Sequence, residues 1–366
     1  MSSAPKGRFV TDPDPLISLG YSARHAASAA AYGPGLKPGR VVRSDRGFVF
    51  VFTEDGITVA RPSTRLLKTA EDGGMPVAGD WVLLGGDASE PLAEYVLERS
   101  TAIQRRDPGR AARVQVLAAN IDVVLITHPL SEQPNLARIE RELALVWDSG
   151  AQPVVVLTKA DLAEDLEAAV NEVRATALGA SVHATSVLTG EGLDEIRDYL
   201  SDGRTIVLIG PSGSGKSTLV NALAGHDIQE TREVRVSDHR GRHTTVSREL
   251  IQLPGGGLVI DTPGLRAVGM WDSADGIDHA FADIAELAED CRFRDCRHDG
   301  EPGCAVEAAV AGGVLAARRL ESYRELQAEA RFVGEQLDVR ARQERKRVDK
   351  MLAKTIKRYY KSNGTA

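Results

Sequence analysis

A small β-barrel, a doubly wound α/β domain and a helical C-terminal segment are what the sequence predicts, and three observations carry that expectation. Five short β-type runs crowd residues 39–105. From Gln115 onward, strand-like runs alternate with helix-like ones and lead into a glycine-rich loop, "GPSGSGKST", at residues 210–218. Finally, Cys291, Cys296, His298 and Cys304 fall together in one short stretch.

The elements follow in chain order. Residues 1–36 are rich in Ala, Ser, Gly and Pro, show no sustained hydrophobic period, and are expected to form a flexible arm. The barrel is expected over residues 37–106, with β-type runs at 41–42, 48–52, 57–60, 81–84 and 95–97 parted by turns such as "EDG" and "VAGD". Five such strands suit an OB-fold, with an SH3-like barrel as the alternative. Residues 107–272 read as the α/β domain. "IDVVLIT" (121–127), "PVVVLTKAD", "SVHATS" and "RTIVLIG" are strand-like, and amphipathic helical stretches such as "LARIERELALVWDSG" lie between them. Strands and helices in alternation make a parallel sheet covered on both faces. "RELIQLPGGGLVIDTPG" reads as a hairpin on a glycine turn. Residues 273–366 look helical, interrupted by the cysteines, and end in a basic tail.

The glycine-rich loop has the spacing G-x-x-x-x-G-K-S at Gly210, Gly215, Lys216 and Ser217. Glycines let successive backbone N–H groups turn inward as an anion nest, and the helix that follows adds its positive end. Pro211, Ser212, Gly213, Ser214 and Thr218 complete the cradle. Lys216 is expected to reach the β- and γ-phosphates, and the Ser217 hydroxyl to hold Mg²⁺. Two further segments choose the base. Thr158, Lys159, Ala160 and Asp161 ("TKAD") resemble the guanine-reading N-K-x-D signature, whose aspartate accepts hydrogen bonds from guanine N1 and N2. ATP offers no such donor pair. Ser186 and Val187, in "TSVLTGEG", resemble the companion S-A-K loop. "DTPG" supplies Asp261 for Mg²⁺ and the Gly264 N–H for the γ-phosphate. An ordinary GTPase runs phosphate loop, D-x-x-G, N-K-x-D, S-A-K. Here the same cycle opens at "TKAD", so the domain is expected to be a circularly permuted GTPase. Permutation is tolerated because the termini of compact domains often lie close together. It also puts the switch segments beside the C-terminal part, whose position is then expected to follow the nucleotide state.

Composition narrows the class. No stretch approaches the roughly 18 uninterrupted apolar residues of a membrane span, and no basic-then-apolar signal segment opens the chain, so a cytoplasmic protein without membrane attachment is expected. All three cysteines lie in C-x₄-C-x-H-x₅-C, which argues against a secreted disulfide framework. Three thiolates and an imidazole close a tetrahedral Zn²⁺ shell and leave no position for a catalytic water, so one structural zinc is expected. The net charge of −7 hides an asymmetry: residues 340–361 hold ten Lys or Arg against Glu344 and Asp349. A basic tail on an acidic body reads as a nucleic-acid contact.

With "QVLAANID" (115–122), "GRHTT" (241–245), "DTPGLR" and the ligand spacing, the chain from about residue 36 to its end resembles the RsgA (YjeQ) family of ribosome-dependent GTPases. The resemblance implies a monomeric factor in late maturation of the 30S subunit. Such a factor binds 16S rRNA near the decoding centre, hydrolyses GTP to GDP there and leaves. The barrel contacts rRNA, and the zinc segment supports docking. Thr158 departs from the usual asparagine, and "SVL" from S-A-K. In Ras-like GTPases a glutamine directly after D-x-x-G positions the attacking water. Leu265 stands there and cannot, and the nearest candidate, to which the resemblance also points, is His243. Either Thr244 or Thr245 would supply the switch hydroxyl for Mg²⁺. Two other readings compete: a nucleotide-gated RNA-binding module with little hydrolysis, and an ATP-using phosphate-loop protein.

Overall fold

In a computed structural model of the chain, residues 15–70, 73–87, 89–106, 114–227, 248–261 and 274–335 are described. A helix α1 (Ala23–Ala30) precedes strands β1 (Lys37–Asp45), β2 (Phe48–Thr53) and β3 (Gly56–Pro62), a short helix α2 (Thr64–Thr69), and strands β4 (Trp81–Asp87) and β5 (Glu90–Val96). The strands follow the order 1-2-3-5-4, and β4 returns to β1. A five-strand closure with β3 and β5 parallel is the OB topology, so the SH3-like alternative falls. Val49 and Val51 point into the barrel with Val41, Val82 and Leu84, while Phe48, the first residue of β2, stays exposed. A bulge in β1 explains its consecutive valines. Val41 pairs with Val51 and Arg43 with Phe50, leaving Val42 as the extra residue. Val41 therefore fills the barrel, and Val42 joins the main core.

The segment 15–36, expected as part of a flexible arm, is instead built into the fold. Leu16 and Leu19 are buried, and Tyr21 and His25 pack on Trp81. The buried Arg40 guanidinium donates to the carbonyls of Leu19, Gly79 and Asn120 and to the Thr205 hydroxyl. One side chain thus joins the N-terminal segment, the barrel and the α/β domain. Helix α1 itself has no fully buried residue; the segment is held by Leu16 and Leu19 before it and by Tyr21 and His25 against Trp81.

Strands β6 (Ala102–Arg106) and β7 (Val114–Ala119) form a separate antiparallel pair. Then follow β8 (Val123–Pro129), α3 (Leu136–Ser149), β9 (Gln152–Thr158), α4 (Leu166–Thr176), β10 (Ser181–Thr185), α5 (Leu193–Arg197), β11 (Thr205–Ile209), α6 (Lys216–Ala224), β12 (Glu249–Gln252) and β13 (Leu258–Asp261). The sheet order is 10-9-8-11-13-12, parallel except for β12. Alternate residues face opposite layers: Val124 and Ile126 meet α3, Val123 and Leu125 meet α5 and α6. In space, the permutation disappears. The phosphate-loop strand β11 is central, with the "DTPG" strand on one side and the "TKAD" strand two places away on the other.

Helices α7 (Ala274–Ala280), α8 (Ala282–Ala288), α9 (Ala305–Ala311) and α10 (317–335) make up the C-terminal part. It sits on α3: a Cβ at Gly276 would lie 2.3 Å from the Ala144 carbonyl oxygen, so only glycine allows this approach. Among the described residues, no helix is long and apolar enough to cross a membrane.

Candidate nucleotide site and metal centre

β11 ends at Ile209 and the chain turns at Gly210 with φ 137°, where a Cβ would stand 2.2 Å from the Thr127 carbonyl oxygen. Gly213 and Gly215 also take positive φ, and α6 begins at Lys216. These conformations turn the loop's N–H groups inward. The Lys216 ammonium lies back across the loop, donating to the carbonyls of Gly210 (3.0 Å) and Pro211 (2.6 Å) and to the Ser214 hydroxyl (3.2 Å).

Three buried hydroxyls fix this loop to its neighbours. Thr127, near the end of β8, donates to the Ile209 carbonyl at 2.8 Å and shares a hydrogen bond with the Ser214 hydroxyl at 2.8 Å. Thr158, at the end of β9, donates to the Ser214 carbonyl at 2.7 Å. The "TKAD" turn is therefore bolted to the phosphate loop through the residue that departs from asparagine. Lys159 adopts φ 58°, which turns the chain so that Asp161 meets the next loop. There the Ser186 hydroxyl donates to Asp161 Oδ1. The Ser186 loop is closed by its own N–H to the Glu191 carbonyl (3.0 Å) and by Gly190 N–H to the Ser186 carbonyl (2.9 Å). "TKAD" and "TSV" thus converge with the loop at the carboxyl ends of β9, β10 and β11, where open α/β sheets carry their ligands.

Asp261 closes β13 and pairs directly across the strands with Glu249. Burial, and then the Glu249 charge, push its carboxyl above the usual range. A half-buried carboxylate beside a second one fits a cation, as Mg²⁺ with a nucleotide would supply. His243, Thr244, Thr245, Gly264 and the tail over 340–361 lie outside the described residues. Thr127 was not singled out by motif; its one signal is a polar residue ending an apolar strand next to the loop's own.

The metal centre lies in the C-terminal part. Ligand atoms of Cys291, Cys296, His298 and Cys304 all fall within 4.8 Å of one another. His298 Nδ1 is 3.6 Å from Cys291 Sγ and 3.4 Å from Cys304 Sγ, and these two sulfurs are 4.0 Å apart. Zn–S bonds of about 2.3 Å set tetrahedral S···S edges of about 3.8 Å, so the donors suit zinc in kind and in spacing. Glu301 buttresses the loop by accepting the N–H groups of Arg297 and Asp299.

A family model described as RsgA GTPase matches residues 96–271. "Small ribosomal subunit biogenesis GTPase RsgA" of Streptomyces coelicolor is 47% identical over 90% of this chain and 90% of its own. The Streptomyces avermitilis protein of the same name is 44% identical over 95% and 94%. Among solved structures, the crystal structure of YjeQ from Thermotoga maritima covers 81% of this chain and 98% of its own, with TM-score 0.63 and 27% identity. YloQ, described as a circularly permuted GTPase, covers 83% and 96% with TM-score 0.58 and 26% identity.

Proposed function

The chain belongs to the RsgA GTPase family, and on that premise we propose that it is a cytoplasmic, monomeric GTP hydrolase that binds the 30S subunit through 16S rRNA and acts in its late maturation. The observation that carries the guanine reading is the bolted corner: Asp161 and Ser186 joined to each other, and Thr158 joined to the phosphate loop. Residues 210–218 cradle the phosphates. Lys216 swings from its carbonyl contacts to the β- and γ-phosphates, the Asp161 carboxylate accepts guanine N1–H and N2–H, and the Val187 region covers O6. Ser217 and Asp261, with Thr244 or Thr245, hold Mg²⁺, which when bound offsets charge on the β- and γ-oxygens. The Gly264 N–H meets the γ-phosphate. Zinc on Cys291, Cys296, His298 and Cys304 is structural.

The barrel's surface supports the RNA contact. Arg61 stacks on the exposed Phe48 at 5.2 Å, and Arg65 on Tyr95 at 5.2 Å. Such pairs offer bases a platform and a charge together. Turnover of GTP and ATP, each with and without purified 30S subunits, tests the reading. GTP hydrolysis is expected to be slow alone and strongly stimulated by 30S, with ATP inert. Tight nucleotide-dependent 30S binding without stimulated turnover would favour the nucleotide-gated RNA-binding module.

Three smaller effects are expected. Thr158→Ala leaves the buried Ser214 carbonyl without its donor and should weaken GTP and GDP equally, by about tenfold, with Thr158→Asn recovering most of it. Equilibrium titration with a fluorescent nucleotide checks both. Cys296→Ser should lose the metal and loosen the C-terminal part while nucleotide binding persists, because zinc binding energy is also folding energy. Metal analysis of the wild-type chain giving well under one zinc per molecule would sink that assignment. Deleting residues 340–366 should weaken 30S association and flatten its salt dependence, since tail cations release counterions on binding. An unchanged salt slope would make the tail a solvated face only.

A further inference from the structure

The barrel and the α/β domain are not two sheets side by side. β1 pairs with β12 through Arg43 opposite Glu249, and Glu249 pairs in turn with Asp261 on β13. On the other side, Arg43 pairs with Phe50 of β2, and Phe50 with Val59 of β3. Residues directly opposite across strands send their side chains to the same face, with Cβ atoms about 4.5–5.5 Å apart. One row therefore crosses five strands, from the exposed Val59, through Phe50, Arg43 and Glu249, to the carboxylate proposed for Mg²⁺. Phe48 and Arg61, the stacked pair of the barrel platform, stand two residues along from Phe50 and Val59, on the same face.

Arg43 has the features of a connector rather than of a contact. It is only 5% exposed, its guanidinium lies 4.2 Å from the Phe50 ring centre, and it reaches Asp45 at 3.2 Å. RNA on the barrel cannot touch it, yet anything that shifts Phe50 shifts it. At the other end, the segment 228–247, which carries the first-switch residues, leads straight into Glu249. The segment beginning at 262 leaves straight from Asp261. In the chain, the first of these segments ends just before this cross-strand pair and the second begins just after it, and among the described residues β1 meets the pair through Arg43 opposite Glu249.

We propose that the row Phe50–Arg43–Glu249–Asp261 couples RNA engagement on the barrel to the catalytic magnesium site, with Arg43 and Glu249 as positioning residues that set how far RNA stimulates hydrolysis. This rests on the functional reading above. Coupling by a packed row needs no mobile linker: Arg43 stands directly opposite Glu249, and Glu249 directly opposite Asp261, so displacing Arg43 changes where Glu249, and hence Asp261, settles. Like-charged cross-strand neighbours are held together at a cost, which makes the pair responsive to the position of a nearby cation.

The test compares turnover at saturating 30S with basal turnover, together with 30S affinity, in the full chain. Arg43→Met keeps the aliphatic stem on Phe50 and removes the charge. It should leave basal turnover and 30S affinity near wild type while cutting the stimulation by about tenfold, and Arg43→Lys should recover most of it. Glu249→Gln should also lower stimulation, and the double variant should be no worse than the poorer single one. Stimulation at wild-type level in Arg43→Met, or strictly additive losses in the double variant, would overturn the coupling. If Arg43→Met does not fold, Phe50→Leu reads the same row from the barrel side and must lower stimulation in the same way. A wild-type chain that 30S fails to stimulate would sink the functional reading and this inference with it, whereas a stimulated wild type with indifferent variants would sink this inference alone.

Discussion

Arg319→Met is expected to destabilise the chain by about 3–5 kcal/mol, the loss when a buried ion pair is broken from one side. Arg319 is buried in α10 and reaches four other helices, α3, α4, α7 and α8. It donates to Glu140 of α3 at 3.0 Å, to both oxygens of Asp283 of α8 at 2.6 and 2.7 Å, and to the carbonyls of Thr176 and Ala280. Its guanidinium also lies 4.8 Å from the Phe281 ring centre. Glu140 is fully buried, and without Arg319 only the half-exposed Arg318, at 3.1 Å, would face it. Methionine restores the volume but none of the donors, so the uncompensated carboxylate carries the loss. Urea denaturation of the full chain measures this. Arg324→Met, which breaks the half-exposed pair with Glu307, is the control and should cost no more than about 1 kcal/mol. An Arg319→Met loss no larger than the control's would mean that the Arg319 network adds nothing beyond packing.

The same network bears on how the C-terminal part can respond to nucleotide. The order of the motifs in the sequence suggests a C-terminal part that swings with the nucleotide state. Its described residues are held on α3 by Arg319, by Arg318, and by a salt bridge from Arg141 to Glu329 at 2.6 Å. Swinging free would expose two buried charges. Motion is therefore expected to carry α3 and the zinc part together.

What could be read in the sequence, and what could not, divides along physical lines. Gly210 and Gly215 were legible because backbone geometry at those points excludes other residues, and because Lys216 and Ser217 follow at fixed spacing. The cysteine cluster was legible for a similar reason: metal donors are few in kind and close in sequence. The barrel's strands could be read from their apolar runs, but its topology could not, since strand order depends on β4 returning to β1. The joints were invisible. Arg40, Arg43 and Arg319 are three among 45 Lys and Arg, and nothing local separates a buried guanidinium from a solvated one. The ordered part of residues 15–36 was missed because two leucines and one aromatic edge, rather than a periodic helix face, hold it down. Thr158 looked like a defect in a motif; its hydroxyl still reaches the phosphate loop.

His243→Ala is expected to leave GTP binding intact and to lower 30S-stimulated turnover by about a hundredfold, the scale of a lost general base or positioning group. The position after D-x-x-G, where Ras-like enzymes carry the glutamine that orients the attacking water, is Leu265, and an isobutyl group cannot hydrogen-bond a water. Hydrolysis by the isolated chain should therefore be slow, and an orienting group has to come from another segment. "GRHTT" lies between the phosphate-loop helix and β12, where a first switch belongs, and His243 is its one side chain that can accept a proton near neutral pH. His243 lies outside the described residues. An imidazole that acts only by accepting should lose the stimulated rate as pH falls through its pKa, since protonation removes the acceptor. His243→Gln separates the roles: glutamine can orient a water but not deprotonate it, so partial rescue without the acid limb in the pH profile would identify positioning. Single-turnover hydrolysis at saturating 30S, with nucleotide binding measured in parallel, makes the comparison. Wild-type turnover in His243→Ala would acquit the histidine, and the water would then have to be held by rRNA or a ribosomal protein.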